Sequence, residues 1–363
     1  MSRVTELTTD PRTGETGPAQ PVLFSEDYYR RIIKEFDYSP FDLRRFDFSL
    51  AGLGQEELNL RYLCHHAADR YVATPVDRRI VTTGFGMSGA PHMATASHIM
   101  KMVRLQAGGE NCQIVLGDLD AYNGRGRSYG FTEDLAERFC VFSERLGFDA
   151  VRGVLRNQRD HAEALTNMYL LGRYTQESDF QGAEEDNHAY YASRGIVDET
   201  MTFRRRLSLA LMASDFVTLG QTHEAVLVLL GVDEHKYVRF AQEVARRFDG
   251  DAPLRGDFAL SALYARLNTG FNGHPKFSKS IPGSGISVET PAAEIRSLVE
   301  NDESRDPAHS PVFQLMHQMT YCSHEELVRI NQDCLENNSR WRAEKKNFAE
   351  YLVTVKEMWP SGE

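Results

Sequence analysis

The chain has 363 residues, 41% of them hydrophobic and 26% charged, with 41 Lys and Arg against 52 Asp and Glu for a formal net charge of -11. That is the composition of a folded protein with room for two or three domain-sized units, and it excludes collagen, coiled-coil rods and disulfide scaffolds. Apolar runs such as Ala225 to Gly231 are too short to span a bilayer, and the acidic balance argues against a protein that coats nucleic acid, so neither a membrane nor DNA is an expected partner.

Residues 1–22 lack the apolar middle of a signal peptide and read as a disordered tail. Ser25 to Phe36 opens with a capping Ser followed by acids, which predicts a helix. Gly54 to Tyr71 predicts a second, with Leu58, Leu60, Tyr62 and Leu63 on its apolar side, so 23–73 is expected to be a helical segment. Cys64, His65 and His66 adjoin there, but neighbouring histidines on a helix point in different directions, and no metal site is expected. The five cysteines are scattered, odd in number and never C-x-x-C, as in free thiols of a cytoplasmic protein.

Arg79 to Thr83 predicts a strand, Gly84 to Pro91 a Gly-rich loop, and His92 to Gln106 a helix. Cys112 to Leu119 reads as a buried parallel strand, apolar on both faces, and Phe131 to Leu146 as a helix capped by Thr132. This is the βαβ pattern of a parallel sheet. Beyond Asn157 the pattern turns largely helical, broken by a polar acidic stretch over 176–187 that reads as a surface insertion or mobile loop. Arg204 to Leu219 predicts a helix, Ala225 to Leu230 a buried strand and Glu234 to Phe248 another helix. Helices at Pro291 to Asn301, Pro311 to Thr320, Ser323 to Asn338 and Arg342 to Met358 follow. The expectation is a doubly wound α/β catalytic domain over 74–290 and a C-terminal helical domain over 291–363.

Two loops carry chemistry. Gly84 to Pro91 joins a strand to a helix start, where glycines allow close backbone approach and the helix end offers free N–H groups to phosphate. Its spacing fits neither a P-loop nor a dinucleotide fingerprint. Further on, Lys276-Phe277-Ser278-Lys279-Ser280 lies in a Gly- and Ser-rich stretch. Two lysines three apart on such a loop can close over a triphosphate and neutralise charge as pyrophosphate leaves.

These blocks resemble the class I aminoacyl-tRNA synthetases, specifically the tryptophanyl/tyrosyl subgroup. Thr83 to Met102 aligns without gaps to that subgroup's T-G-F-x-P-S-G-x-x-H-x-G-H signature, and Lys276 to Ser280 matches its KMSKS loop. Ile114 to Asn123, Leu211 to Phe216 and Gly231 to Tyr237 resemble further family segments in family order. The N-terminal helices and the long separation of the two signatures are similar to the archaeal and eukaryotic tryptophanyl type.

The resemblance implies a Rossmann-like catalytic domain that activates an amino acid with ATP, as an aminoacyl adenylate, and passes the acyl group to tRNA. It implies that His92, Lys276 and Lys279 are catalytic, and that Gly84, Gly86, Thr95, Asp233, Ser278 and Ser280 meet ATP or the adenylate. Thr82, Asp215 and Glu234 would face the amino acid. Mg2+ would arrive with ATP, and a homodimer is expected. Three departures stand out: Ala94 and Thr95 replace a glycine and a histidine, Glu234 replaces a glutamine, and Thr82 stands where an aromatic often lines the side-chain pocket. After Ser280 the helical region is shorter than the family's anticodon-reading part, with Arg340, Arg342, Lys345 and Lys346 as one modest basic cluster. Two other readings stay open. One is a paralogue that joins an amino acid to a small acceptor or uses charged tRNA; the other is a non-catalytic relative that binds amino acid, nucleotide or tRNA.

Overall fold

The strand expected to end at Thr83 continues to Gly86, so the first two glycines of the loop belong to the sheet. The computed structural model describes residues 8–9, 16–17, 24–41, 49–250, 253–279, 281–319 and 322–361. Its strands are β1 (Thr8–Thr9), β2 (Thr16–Gly17), β3 (Ser39–Pro40), β4 (Cys64–His66), β5 (Arg79–Gly86), β6 (Cys112–Gly117), β7 (Val154–Asn157), β8 (Ala225–Gly231) and β9 (Ala259–Ala265). The helices are α1 (Glu26–Glu35), α2 (Gln55–Arg61), α3 (Ala68–Ala73), α4 (Met93–Ala107), α5 (Asp118–Arg125), α6 (Tyr129–Arg145) and α7 (Ala162–Leu171). There follow α8 (His188–Ala192), α9 (Phe203–Thr222), α10 (His235–Ala245), α11 (Ala292–Glu300), α12 (Pro311–Met319), α13 (His324–Glu336) and α14 (Ser339–Glu357). Of the tail expected over 1–22, only the antiparallel pairing of β1 with β2 is described; the rest lies outside the described residues.

The main sheet has seven strands in the order β3-β4-β9-β8-β5-β6-β7. β9, β8, β5, β6 and β7 are parallel, and β4 and β3 extend the edge antiparallel. The fold is α/β with a mostly parallel sheet, as a Rossmann-like class I synthetase catalytic domain requires. Every residue of β8 is buried, and its side chains alternate between two cores. Ala225, Leu227 and Leu229 pack with α4, α6 and the C-terminal helices; Val226, Val228 and Leu230 pack with α1, α9 and α10. Helices on both faces explain why the strand is apolar throughout rather than alternating.

Several expectations are corrected. The single helix over Gly54 to Tyr71 is two short helices with β4 between them, because Leu63 and Cys64 leave the helix to pair with Tyr264 of β9. His65 and His66 therefore alternate across a strand. Ser128, not Thr132, caps α6: its hydroxyl accepts the Phe131 N–H. β7 and β9 were not predicted. β9 reads ALSALYA, whose alanines favour helix in isolation, and only its place between β4 and β8 makes it a strand. The five cysteines are all free. No described helix is long and apolar enough to cross a membrane.

Candidate active site

β5 stands between β6 and β8, and the chain leaves it first toward β6 and only later returns to β8 on its other side. At such a reversal the loops after the strands diverge and open a crevice at their carboxyl ends. Two adjoining chambers of about 210 and 240 Å³ occupy it. Gly84, Gly86, Arg125, Glu234 and Lys279 border both.

The first chamber collects His92, Thr95, Asp233, Lys276 and Ser278. His92 is the N-cap of α4; its Nδ1 accepts the Thr95 N–H at 3.1 Å, with the Thr95 hydroxyl 3.2 Å away. That assignment leaves the ring proton on Nε2. Burial, then Lys279 and Lys276, push the imidazole pKa down to about 3, so the ring is a neutral donor at the start of α4, where the Met93, Thr95 and Ala96 N–H groups are bonded within the protein and that of Ala94 faces the chamber without such a bond. A Cβ added at Gly84 would meet Val115 O at 3.5 Å, and at Gly86 Asp120 Oδ2 at 3.4 Å, both tolerable contacts. Packing therefore does not demand glycine at either place, and the bare backbone leaves room for a ligand.

The two lysines occupy different environments. Lys276 is ion-paired with Asp233 and lies 3.4 Å from Glu185 Oε2. Burial opposes its charge, but Asp233, Tyr191 and Glu185 outweigh burial and hold its pKa well above the usual lysine value. Lys279 donates to the Gly86 carbonyl at 2.8 Å, and burial pulls its pKa down to about 8. Gly285 seats this loop: a Cβ there would sit 2.6 Å from the Phe277 ring. Ser278 donates its N–H to Ser284 Oγ at 3.0 Å, whereas Ser280 lies outside the described residues.

The second chamber holds Thr82 and Asp215. The Thr82 hydroxyl accepts from Gln113 Nε2 at 3.4 Å. Asp215 is buried, its oxygens accepting from Arg156 at 2.8 Å and Gln158 at 2.9 Å; burial raises its pKa while Arg156 opposes. Glu234 stands at the junction with its pKa raised to about 8 by burial, then Asp233 and Glu185, against Lys276 and Lys279. Met201, Leu209, Met212 and Phe216 supply the apolar wall.

The acidic stretch over 176–187 corrects the expectation of a surface insertion. It begins exposed at Glu177, but Glu185 and Asn187 are buried, and Glu185 reaches Arg125 at 3.4 Å as well as Lys276. Sequence reasoning missed Glu185, Arg125 and Asp120. The signal was available for Glu185: two lysines enclosed in a chamber need carboxylates, and this is the densest acidic run nearby. The basic cluster is also smaller than expected. Arg340 pairs with Asp333 at 2.7 Å, and Lys345 is buried, donating to the carbonyls of Glu300 and Asp302 at 2.8 Å each. Among the described residues no group of three or more His, Cys, Asp or Glu is arranged to hold a metal.

The family model described as tRNA synthetases class I (W and Y) matches residues 76–357, and the chain belongs to that family. Its fold is similar to tryptophanyl-tRNA synthetase from Aeropyrum pernix, with a TM-score of 0.73 and 19% identity over 92% of this chain and 93% of that one. Tyrosyl-tRNA synthetase of Archaeoglobus fulgidus, in complex with L-tyrosine, matches at a TM-score of 0.63 and 17% identity over 83% of this chain and 96% of that one. A tryptophan–tRNA ligase of Halobacterium salinarum is 24% identical over 165 residues, which are 46% of this chain and 30% of that protein's length.

Proposed function

We propose that the chain uses ATP to activate an amino acid as its adenylate and then transfers the acyl group. One observation carries this reading: the His92-capped end of α4, the glycine end of β5 and both loop lysines meet in one chamber, with a second chamber adjoining. An oxygen of the amino-acid carboxylate attacks the α-phosphorus of ATP, the bond to the bridging oxygen breaks, and pyrophosphate leaves. The chain supplies position and charge rather than covalent chemistry. Lys279 and Lys276 meet the departing charge, the His92 donor and the Ala94 N–H meet phosphate oxygens, and Asp233 takes the ribose hydroxyls once Lys276 turns to phosphate. Thr95, Ser278 and Ser280 add polar contacts to ATP, and Mg2+ enters as part of that substrate. Thr82, Asp215 and Glu234 face the amino acid.

The default acceptor is tRNA, and a cytoplasmic homodimer is the expected form. A small acceptor is the second reading. It is favoured by the spending of Arg340 and Lys345 on contacts within the C-terminal helices, which leaves little of the basic cluster for phosphate. ATP–pyrophosphate exchange against a panel of amino acids tests the first step, and added tRNA tests the acceptor. Absence of exchange with every amino acid would overturn the adenylate reading.

A further inference from the structure

Among the described residues, Glu234 is the one carboxyl group that borders both chambers. Asp233 borders only the first and Asp120 only the second. Asp233 is already paired with Lys276, and Asp215 with Arg156. Glu234 has no hydrogen bond or ion pair among the described residues, although Asp233, Glu185, Lys276, Lys279 and, from the next turn, Tyr237 all act on it through space. A half-buried carboxyl with no protein partner, whose oxygens are not sealed from solvent, is free to meet a ligand that enters the chambers.

An adenylate lying across the two chambers puts its nucleotide in the first and its amino-acid side chain in the second. The acyl carbon then falls at their junction, where Glu234 stands, while Asp120 is left to hold the substrate's ammonium. We propose that Glu234 accepts the proton shed by the attacking group in the transfer step, and that the attacking group is an amine. This inference rests on the adenylate reading above and takes the small acceptor, rather than tRNA, for the second step. In the step, the amine nitrogen bonds to the acyl carbon and the bond from that carbon to the phosphate oxygen breaks. AMP leaves with the electron pair, and the proton lost by nitrogen passes to the Glu234 carboxylate, leaving an amide.

An amine differs from a hydroxyl in the charge it develops. On adding to the carbonyl it becomes cationic and must lose a proton before the intermediate can collapse to the amide. A carboxylate at the junction both stabilises that charge and takes the proton. Its proton affinity, near pH 8 through burial and its acidic neighbours, suits a group that must accept a proton and later release it to water.

The test uses the full chain, the amino acid giving the strongest exchange, and hydroxylamine as a small amine that is mostly uncharged over the range studied. Exchange and hydroxamate formation from preformed adenylate are measured from about pH 7 to about pH 9.5, where that amine stays neutral. Hydroxamate formation should rise with pH through a midpoint near 8. Glu234→Gln should lower it about 100-fold more than it lowers exchange and flatten the profile, and Glu234→Asp should restore part of both. A Gln variant that raises the amino-acid KM in exchange while leaving the transfer profile intact would make Glu234 an ammonium-binding group and overturn the proposal. Rapid tRNA acylation, undiminished in that variant, would overturn it as well. Failure of the underlying reading looks different, because wild-type exchange itself would then be absent.

Discussion

Lys276 holds its ammonium on the carboxylate of Asp233, so a loop lysine and the acid just after β8 neutralise each other within one chamber. Glu185 joins them from the acidic stretch, and Arg125 balances Glu185 from α5. A triphosphate must therefore compete with two carboxylates for Lys276. Removing Lys276 leaves both acids buried without it, whereas removing Lys279 leaves only the Gly86 carbonyl. Lys276→Ala should cost about 3 kcal/mol of stability, seen in urea melts. Lys279→Ala should change stability little but lower exchange at least about 100-fold. Equal stability of the two variants would show that the buried pair contributes nothing.

The depressed pKa of Lys279 should set a pH limit on the proposed nucleotide binding. Its amine is charged below about pH 8 and neutral above. ATP binds the charged form better, so affinity should be flat up to that point and weaken above it by up to about tenfold per pH unit. Ionisation of Glu234 over the same range acts in the same direction. Lys279→Arg keeps its charge and should remove the lysine's share of the decline, measured by calorimetric titration of ATP at successive pH values.

Two glycines near the chambers should respond oppositely to alanine. At Gly84 an added methyl finds ordinary contact distances, so Gly84→Ala should keep its melting temperature while losing ATP affinity. At Gly285 the methyl would lie 2.6 Å from the Phe277 ring, so Gly285→Ala should unseat the lysine loop. Limited proteolysis should then cut near Phe277. A Gly84→Ala protein with normal ATP affinity would show that no ligand approaches that backbone.

Acid should destabilise the fold well before its carboxylates titrate. Burial pushes the pKa of His65, His235 and His317 down to about 4 and that of His92 to about 3. The unfolded chain takes up these protons near pH 6.5 while the folded chain excludes them. The folded state thus loses stability as pH falls from about 6.5 toward 4, each histidine contributing up to about 1.4 kcal/mol per pH unit, and the slope fades below the folded values. His235→Gln should shallow that slope in thermal melts; a melting temperature constant from pH 7 to pH 5 would refute the assignment.

Much of the α/β half was legible in the chain. β5, α4, β6 and β8 follow from local patterns: an apolar run between glycines, a capping residue, a helical period. The Gly-rich turn and the lysine loop could be read for phosphate because a triphosphate imposes its own requirements on neighbouring residues. β9 and β4 could not be read, because their strand state comes from pairing with each other across a long stretch of sequence.

The sequence by itself determined the family, the parallel core and the two loops proposed to meet ATP, since each lies in a contiguous segment whose pattern reports local conformation. Only the tertiary structure decided that Glu185 turns inward, that Lys276 is held by two acids, and that Glu234 stands unpartnered where the chambers join. Those are electrostatic relations among segments far apart in the chain, and burial and charge balance arise only when the segments pack. The net charge of -11 is a case in point. As a sum it says little about partners; what matters is that several of those acids lie inside the crevice, and that the C-terminal cations are partly spent on their own helices.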